Sequence, residues 1–241
     1  MANKLRLGLI GAGTIAELHV AAARDSAAEI VAVCDVRADR AERIAAGAQV
    51  FTDHRDLIAA GGLDAVVVTV PHALHAPITL DAAAAGLHVL VEKPIATTRA
   101  DAARMVEACR TAGVVLAVGH VLRFVPTLRA AAAYLRSGEL GRVVVATERR
   151  TSDYGDETRP GWFLDAGMAG GGIVLNVGTH SIDKLQLLVG APITRVTAHV
   201  AGPASLEIET EALALLEHED GVRATFAVTG TGLPFTDQTE L

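Results

Sequence analysis

Aromatic side chains are scarce in this 241-residue chain, at 3% of residues with a single tryptophan, Trp162. Their shortage leaves Ala, Val, Leu and Ile to build the core. Alanine buries area only where backbones approach closely, which favours helices laid on a sheet over a loose bundle. Cysteine is nearly absent too. Cys34 and Cys109 exclude a disulfide framework, fit a reducing compartment and read as buried filler. There is no basic excess: a net charge of −7 and dispersed arginines, Arg149-Arg150 apart, argue against a nucleic-acid surface. No apolar run has the uninterrupted length of a membrane span. The opening "MANKLRLGLIGAG" reaches its glycines too soon to read as a secretory leader. What is abundant is hydrophobic residue, 51% of the chain, which excludes disorder. A soluble cytoplasmic protein, with neither membrane nor nucleic acid as partner, is expected.

The first half alternates strand and helix signals. "KLRLGLI", "EIVAVCD", "QVFTD", "LDAVVVTV", "LHVLVEK" and "VVLAVGH" read as strands, with helical segments between them closed by glycines such as Gly47 and Gly86. This βαβα order, with near-continuous apolar strands, predicts a doubly wound parallel sheet covered on both faces. After about residue 120 the pattern changes. "PTLRAAAAYLRSG" reads as one helix, and "ITRVTAHV", "TEALALLEH" and "VRATFAVTG" as strands, the last two joined by an Asp220-Gly221 turn. The chain is therefore expected to be α/β: a doubly wound parallel-sheet domain over 1–120, then an α+β domain over 121–241 with a mainly antiparallel sheet. The polar "FTDQTEL" enters a further strand and stops at Leu241, so this second sheet is expected to be incomplete and the domain truncated.

Between the first strand and first helix stands Gly11-Ala12-Gly13-Thr14-Ile15-Ala16. Gly11 permits the tight turn, Gly13 lets backbone approach a pyrophosphate, and Ala16 keeps helix close to strand. The helix start, with Thr14 and Ile15, offers N–H groups and a positive dipole end to phosphates. The next strand ends at Asp35, where a carboxylate can bind both ribose hydroxyls. Asp35 would repel a 2′-phosphate, so NAD is favoured over NADP. Arg37 is an adenine or phosphate partner, or equally a solvated arginine at a helix start.

Set in order, "GLIGAGTIA", "CDV", "VPHALHAP", "VEKPIA", "GHVLRFVP" and "AGGGIVLNVGTHSID" resemble the Gfo/Idh/MocA oxidoreductases, the glucose-fructose oxidoreductase and inositol dehydrogenase family. The resemblance covers essentially the whole chain, and "EKP" and the glycine-histidine element are its most specific parts. It implies a Rossmann domain joined to an α/β domain built on an open sheet, and oxidation or reduction of sugars and polyols with NAD(P). Members often carry Asn where this chain has His72, many carry Asp where it has Asn176, and full members are usually about a third longer, a part that often completes an oligomer interface. A homo-oligomer is expected where that sheet is complete.

Glu92-Lys93-Pro94 follows the fifth strand, and strand carboxyl ends face the ligand crevice of such a sheet. Lys93 there can hydrogen-bond a substrate oxygen and stabilise developing negative charge. The resemblance makes a cis Lys93-Pro94 bond expected. Glu92 is a cofactor contact, a lysine partner or structural. Pro71, His72 and His75 follow the fourth strand and are expected to line the nicotinamide-ribose region. A zinc site at His72 and His75 lacks further ligands, so no metal is expected. In "GGGIVLNVGTHSID", residues 170–183, ideal helical geometry of about 100° per residue puts His180 about 40° from Asn176, and Asp183 about 20° to its other side. Alone, that predicts a solvated polar face. Gly170-Gly171-Gly172 suit close approach of substrate or cofactor, and the resemblance turns the face toward the nicotinamide. On that ground His180 is expected to be a catalytic or substrate-contact group, an imidazole suiting acid–base work near neutral pH. Asn176 would orient substrate or imidazole, and Asp183 serves as an extra carboxylate or a structural group. Arg123 could face the cleft or pair with a second-domain carboxylate. Trp162 could stack on substrate or serve the core, and Tyr154 is a lesser substrate candidate.

The leading expectation is NAD(P)-dependent hydride transfer at the CH–OH group of a sugar, polyol or related hydroxy or keto compound. Redox-assisted glycoside cleavage and a non-catalytic NAD-binding protein are the alternatives.

Overall fold

The computed structural model describes residues 4–154, 159–230 and 234–241. The chain divides into two compact units, Met1–Gly119 and His120–Leu241. Among the described residues no helix is long and apolar enough to cross a membrane.

The first unit holds a six-stranded sheet of β1 (Leu5–Ile10), β2 (Ala28–Cys34), β3 (Gln49–Phe51), β4 (Ala65–Val68), β5 (His88–Val91) and β6 (Leu116–Val118). Its order is β3-β2-β1-β4-β5-β6 and every pairing is parallel. The intervening helices are α1 (Thr14–Arg24), α2 (Ala38–Ala45), α3 (His54–Ala59), α4 (His75–Ala84) and α5 (Arg99–Ala112). Successive residues of one strand feed opposite cores. Ile10, Cys34, Val66 and Val68 pack with Ala76, Ile78, Ala82 and Met105, whereas Leu9, Val33 and Val67 pack with Ala16, Ala41 and Ile44. That double burial is why these strands are apolar without alternation. Each fully buried valine or leucine contributes about 1.5–3 kcal/mol against exposure. In this strand order the β1/β4 junction is where direction reverses. Ligands of such sheets bind at the strand carboxyl ends there.

The second unit contains α6 (Pro126–Ser137), α7 (Ala166–Ala169) and α8 (Thr179–Val189). Its sheet contains β7 (Val145–Thr151), β8 (Ile193–Ala201), β9 (Glu211–His218), β10 (Arg223–Thr229) and β11 (Thr236–Glu240), in the order β11-β7-β10-β9-β8. It is mainly antiparallel, but β7 and β10 run parallel, so the sheet is mixed. The Asp220-Gly221 turn joins β9 to β10, with Gly221 at φ 86°. One face, through Ala146, Ala212, Leu216, Ala224, Phe226 and Val228, packs on Ile173 and Leu185. The other face leaves Val145, Leu213 and Leu215 exposed.

Candidate active-site residues in the two units

In the first unit the glycine turn is built as its spacing suggested. Gly11 takes φ 101°, and a Cβ there would lie 2.7 Å from the Thr69 backbone. Thr69 closes the turn from β4's end, its hydroxyl donating to the Gly11 carbonyl at 2.8 Å. Gly13 precedes α1, and a Cβ on it would meet nothing within 4 Å. No side chain caps that helix start, and Thr14 and Ile15 are exposed beside it. An open space over uncapped helix N–H groups suits a pyrophosphate. Asp35 is fixed at its rim, accepting from the Ala12 N–H at 2.8 Å and the Arg37 N–H at 2.9 Å, one on each oxygen. Each oxygen keeps a further lone pair for a ribose hydroxyl. The residues present therefore fit a dinucleotide. The Arg37 side chain forks onto Asp39, and both side chains are well exposed.

The Lys93-Pro94 peptide is cis, and Lys93 is half-buried at the end of β5. Glu92 is held behind it. Its Oε1 lies 2.9 Å from His19 Nε2, and its Oε2 accepts the Lys93 N–H at 3.2 Å. A Cβ at Gly119 would come within 3.1 Å of this carboxylate, so glycine makes the room. Burial pushes the Glu92 carboxyl up, but the His19 hydrogen bond and the Lys93 N–H outweigh it and leave it below its ordinary range. Of the three meanings open for Glu92, the geometry displays a support for the lysine loop. Nothing local in the sequence marks His19, whose partner is 73 residues away.

His75 differs from expectation. The ring is fully buried, with Nδ1 2.8 Å from the Pro94 carbonyl and Nε2 3.0 Å from the Val70 carbonyl. It ties the start of α4 to the loop after Lys93 and presents no face to a ligand. His72, also buried, packs edge-on against it at 5.7 Å, while Pro71 is half-buried just before.

In the second unit the glycine-rich stretch departs from the geometry assumed for it. Residues Val174–Gly178 form a π-turn before α8 begins, so the ideal helical spacing of Asn176 and His180 does not hold. The polar residues do not form a wet face. Asn176 and Asp183 are buried, as are Ser181 and Lys184 on the same helix, and His180 is half-buried. The glycines serve packing inside the unit. Gly170 ends α7 at φ 78°. A Cβ on Gly172 would sit 1.8 Å from the Glu209 carbonyl oxygen. Glu209 then turns its carboxylate onto the Gly172 and Val174 N–H groups, at 2.8 and 3.0 Å, capping the turn that carries Asn176.

Asp183 is claimed by Arg123, whose Nε and Nη2 donate to it over 2.7–2.9 Å. This is the carboxylate pairing left open for that arginine. His120 stands beside them, Nδ1 4.0 Å from Asp183 Oδ2, with its ring edge-to-face with His180 at 6.1 Å. His120 opens "HVLRF", but only the fold brings it to α8. Tyr154 is buried next to Asn176. Burial pushes its phenol up, while the Asn176 hydrogen bond and the Arg159 charge pull it down. The Arg159 guanidinium lies 4.6 Å over the Tyr154 ring and 5.6 Å over that of Phe163. Trp162 stacks on Phe163 at 3.8 Å and is half-buried. Among the described residues no group of three or more His, Cys, Asp or Glu is placed to hold a metal.

Comparison with known proteins gives two family matches. Residues 5–120 match the model described as "Oxidoreductase family, NAD-binding Rossmann fold". Residues 128–237 match the "GFO/IDH/MocA C-terminal domain". A 1,5-anhydro-D-fructose reductase of Ensifer adhaerens is 36% identical over 92% of this chain and 68% of its own length. Other curated relatives are spanned for only 58% of theirs. Among solved structures, GenD2 from gentamicin A biosynthesis, in complex with NAD, superposes with a TM-score of 0.92 at 27% identity, over 99% of this chain and 69% of its own. The WlbA dehydrogenase of Bordetella pertussis, in complex with NADH and UDP-GlcNAcA, gives 0.91 at 32% identity, over 99% and 71%.

Proposed function

The chain belongs to the Gfo/Idh/MocA oxidoreductase family, and from that premise we propose that it interconverts a CH–OH group of a sugar or polyol with its carbonyl, using NAD in preference to NADP. The observation that carries this is the open cradle over the uncapped start of α1, with the Asp35 carboxylate fixed at its rim. Gly11, Gly13, Thr14 and Ile15 would bracket the pyrophosphate, and Asp35 the adenosine ribose. Pro71, His72 and Glu92 support the nicotinamide side, and His75 acts as the tie beneath them. Asp35 opposes a 2′-phosphate by charge, which favours NAD.

A bound nicotinamide supplies the hydride acceptor or donor. The chain's own residues do the rest. Lys93 donates a hydrogen bond to the substrate oxygen and stabilises the negative charge that develops there. His180 takes the hydroxyl proton on an imidazole nitrogen in oxidation and returns it in reduction; such acid–base help adds about 10²–10⁴-fold. Asn176 orients substrate or imidazole, and being neutral it does not stabilise an imidazolium as a carboxylate does. Arg123 and Asp183 brace the His180 helix, and Trp162 offers an apolar face to a sugar ring. Two free, buried cysteines support a reducing, cytoplasmic setting. The exposed Val145, Leu213 and Leu215 face supports association of copies of the chain, which light scattering against concentration tests.

The test is a panel of sugars and polyols with NAD and NADP, run on the wild type and on Lys93→Ala. The proposal expects NADH formation with at least one substrate, and a Lys93→Ala protein that binds NAD without turning over. Activity surviving in Lys93→Ala overturns the lysine's role. Glycoside release without net NADH accumulation, or NAD binding with no turnover of any substrate, overturns the dehydrogenase reading.

A further inference from the structure

Arg37 sits awkwardly for an NAD site. Its backbone N–H donates to Asp35 Oδ1 at 2.9 Å, so its side chain starts one hydrogen bond away from the carboxylate assigned to the ribose. A guanidinium at that position is the group that accommodates the 2′-phosphate of NADP, and its fork of N–H donors matches phosphate geometry. Asp35 and Arg37 thus pull cofactor choice in opposite directions.

The neighbouring helix resolves the conflict. Asp39, in the first turn of α2, accepts from Arg37 Nη2 at 2.8 Å and from Nε at 3.3 Å, one bond on each oxygen. This is the same two-pronged face of the guanidinium that a phosphate would engage. We infer that Asp39 is a cofactor-specificity residue: it holds the Arg37 fork and so withholds it from a 2′-phosphate, reinforcing the choice Asp35 makes. The inference rests on the NAD reading of the first unit. A 2′-phosphate must displace the Asp39 carboxylate from Arg37 and then sit beside both Asp35 and Asp39. Both partners are well exposed, so the brace is of the surface class, and releasing it changes relative affinity by at most about fivefold. The effect shrinks as salt rises.

The experiment measures binding of ADP and of 2′,5′-ADP to the full chain by calorimetry, which needs no turnover. Asp39→Asn is expected to raise the affinity for 2′,5′-ADP relative to ADP by about threefold. Arg37→Ala in the Asp39→Asn background is expected to abolish that gain. Glu42→Gln, which removes one negative charge from α2 without touching Arg37, is expected to leave the ratio near the wild-type value. ADP binding with an unmoved ratio in Asp39→Asn overturns the inference alone. So does a gain that persists without Arg37, or one that Glu42→Gln reproduces. Failure of the wild type to bind either nucleotide overturns the NAD reading and the inference with it.

Discussion

Lys184 Nζ lies 3.0 Å from Glu148 Oε1, with side-chain exposures of 4% and 0%. The lysine comes from α8, one turn after His180, and the glutamate from β7. Asp237 of β11 contacts the same ammonium and also faces Arg150 at 3.3 Å. Thr239 donates to the second oxygen of Glu148 at 2.6 Å. Two cations and two carboxylates thus balance beneath the helix that carries the proposed acid–base group.

Removing one member should therefore cost more than the pair is worth. Lys184→Met leaves two carboxylates inside the unit without their shared cation, and is expected to lower stability by about 3–5 kcal/mol in urea unfolding. Glu148→Gln added to that variant removes one stranded charge and should recover part of the loss. A Lys184→Met protein within about 0.5 kcal/mol of wild type would show that the cluster is not a buried network.

The glycine run offers a sharper contrast between two neighbours. A Cβ at Gly172 would meet the Glu209 carbonyl oxygen at 1.8 Å; the backbone fixes the position of both atoms, so no rotamer relieves the overlap. A Cβ at Gly171 would find its nearest atom at 3.5 Å, an ordinary contact. Gly172→Ala is expected to cost about 3 kcal/mol or more, and Gly171→Ala less than about 1 kcal/mol. Thermal unfolding of the two variants side by side decides it, and equal melting temperatures refute the assignment.

His75 makes the stability of the first unit depend on pH. Burial holds its imidazole below the ordinary range, against the upward pull of the Pro94 and Val70 carbonyls. The folded protein therefore prefers the neutral ring, whereas the unfolded chain protonates near pH 6.5, roughly the free value. The stability from this residue is complete above that pH and is lost as pH falls toward the lowered folded value. His75→Gln is expected to cost about 1–3 kcal/mol at pH 8, because one carbonyl loses its partner. Its stability should then fall less steeply than wild type between pH 6.5 and 5. Parallel slopes in the two proteins would exclude His75 as the source.

Much of the architecture is legible in the residues, for identifiable reasons. Val66, Val67 and Val68 must be apolar in succession because alternate members enter different cores, and an unbroken apolar strand therefore announces a doubly covered parallel sheet. Gly113, Gly138 and Gly190 end helices with positive φ, which only glycine tolerates easily. The cradle is legible because Gly11 and Gly13, whose role is backbone geometry, and the Asp35 carboxylate all fall within one βαβ unit. The site in the second unit is less so. The angular arithmetic for Asn176 and His180 assumes one helix, and the π-turn at Val174–Gly178 breaks it. Gly172 looks like room for a ligand until Glu209, 37 residues on, occupies that room. Pairings such as His19 with Glu92 join groups that no local pattern connects.

Arg123 and Asp183 bear most directly on the proposed chemistry. Three donor contacts of 2.7–2.9 Å fix the carboxylate, and His120 Nδ1 lies 4.0 Å from it. Arg123→Ala leaves a buried carboxylate without its cation. The expected loss is about 2 kcal/mol, below the fully buried figure because the arginine side chain is 45% exposed. Arg123→Lys should recover only part, since an ammonium cannot fork across both oxygens. The electrostatic consequence is separable from the structural one. Without the guanidinium, the Asp183 charge acts uncompensated on His180, three residues before it on α8, and a nearby anion favours the protonated imidazole. The acidic limb of the kcat/KM profile for polyol oxidation should therefore move to higher pH in Arg123→Ala and return toward wild type in Arg123→Lys. Loss of activity with the limb unmoved would mean that the arginine only holds the helix in place.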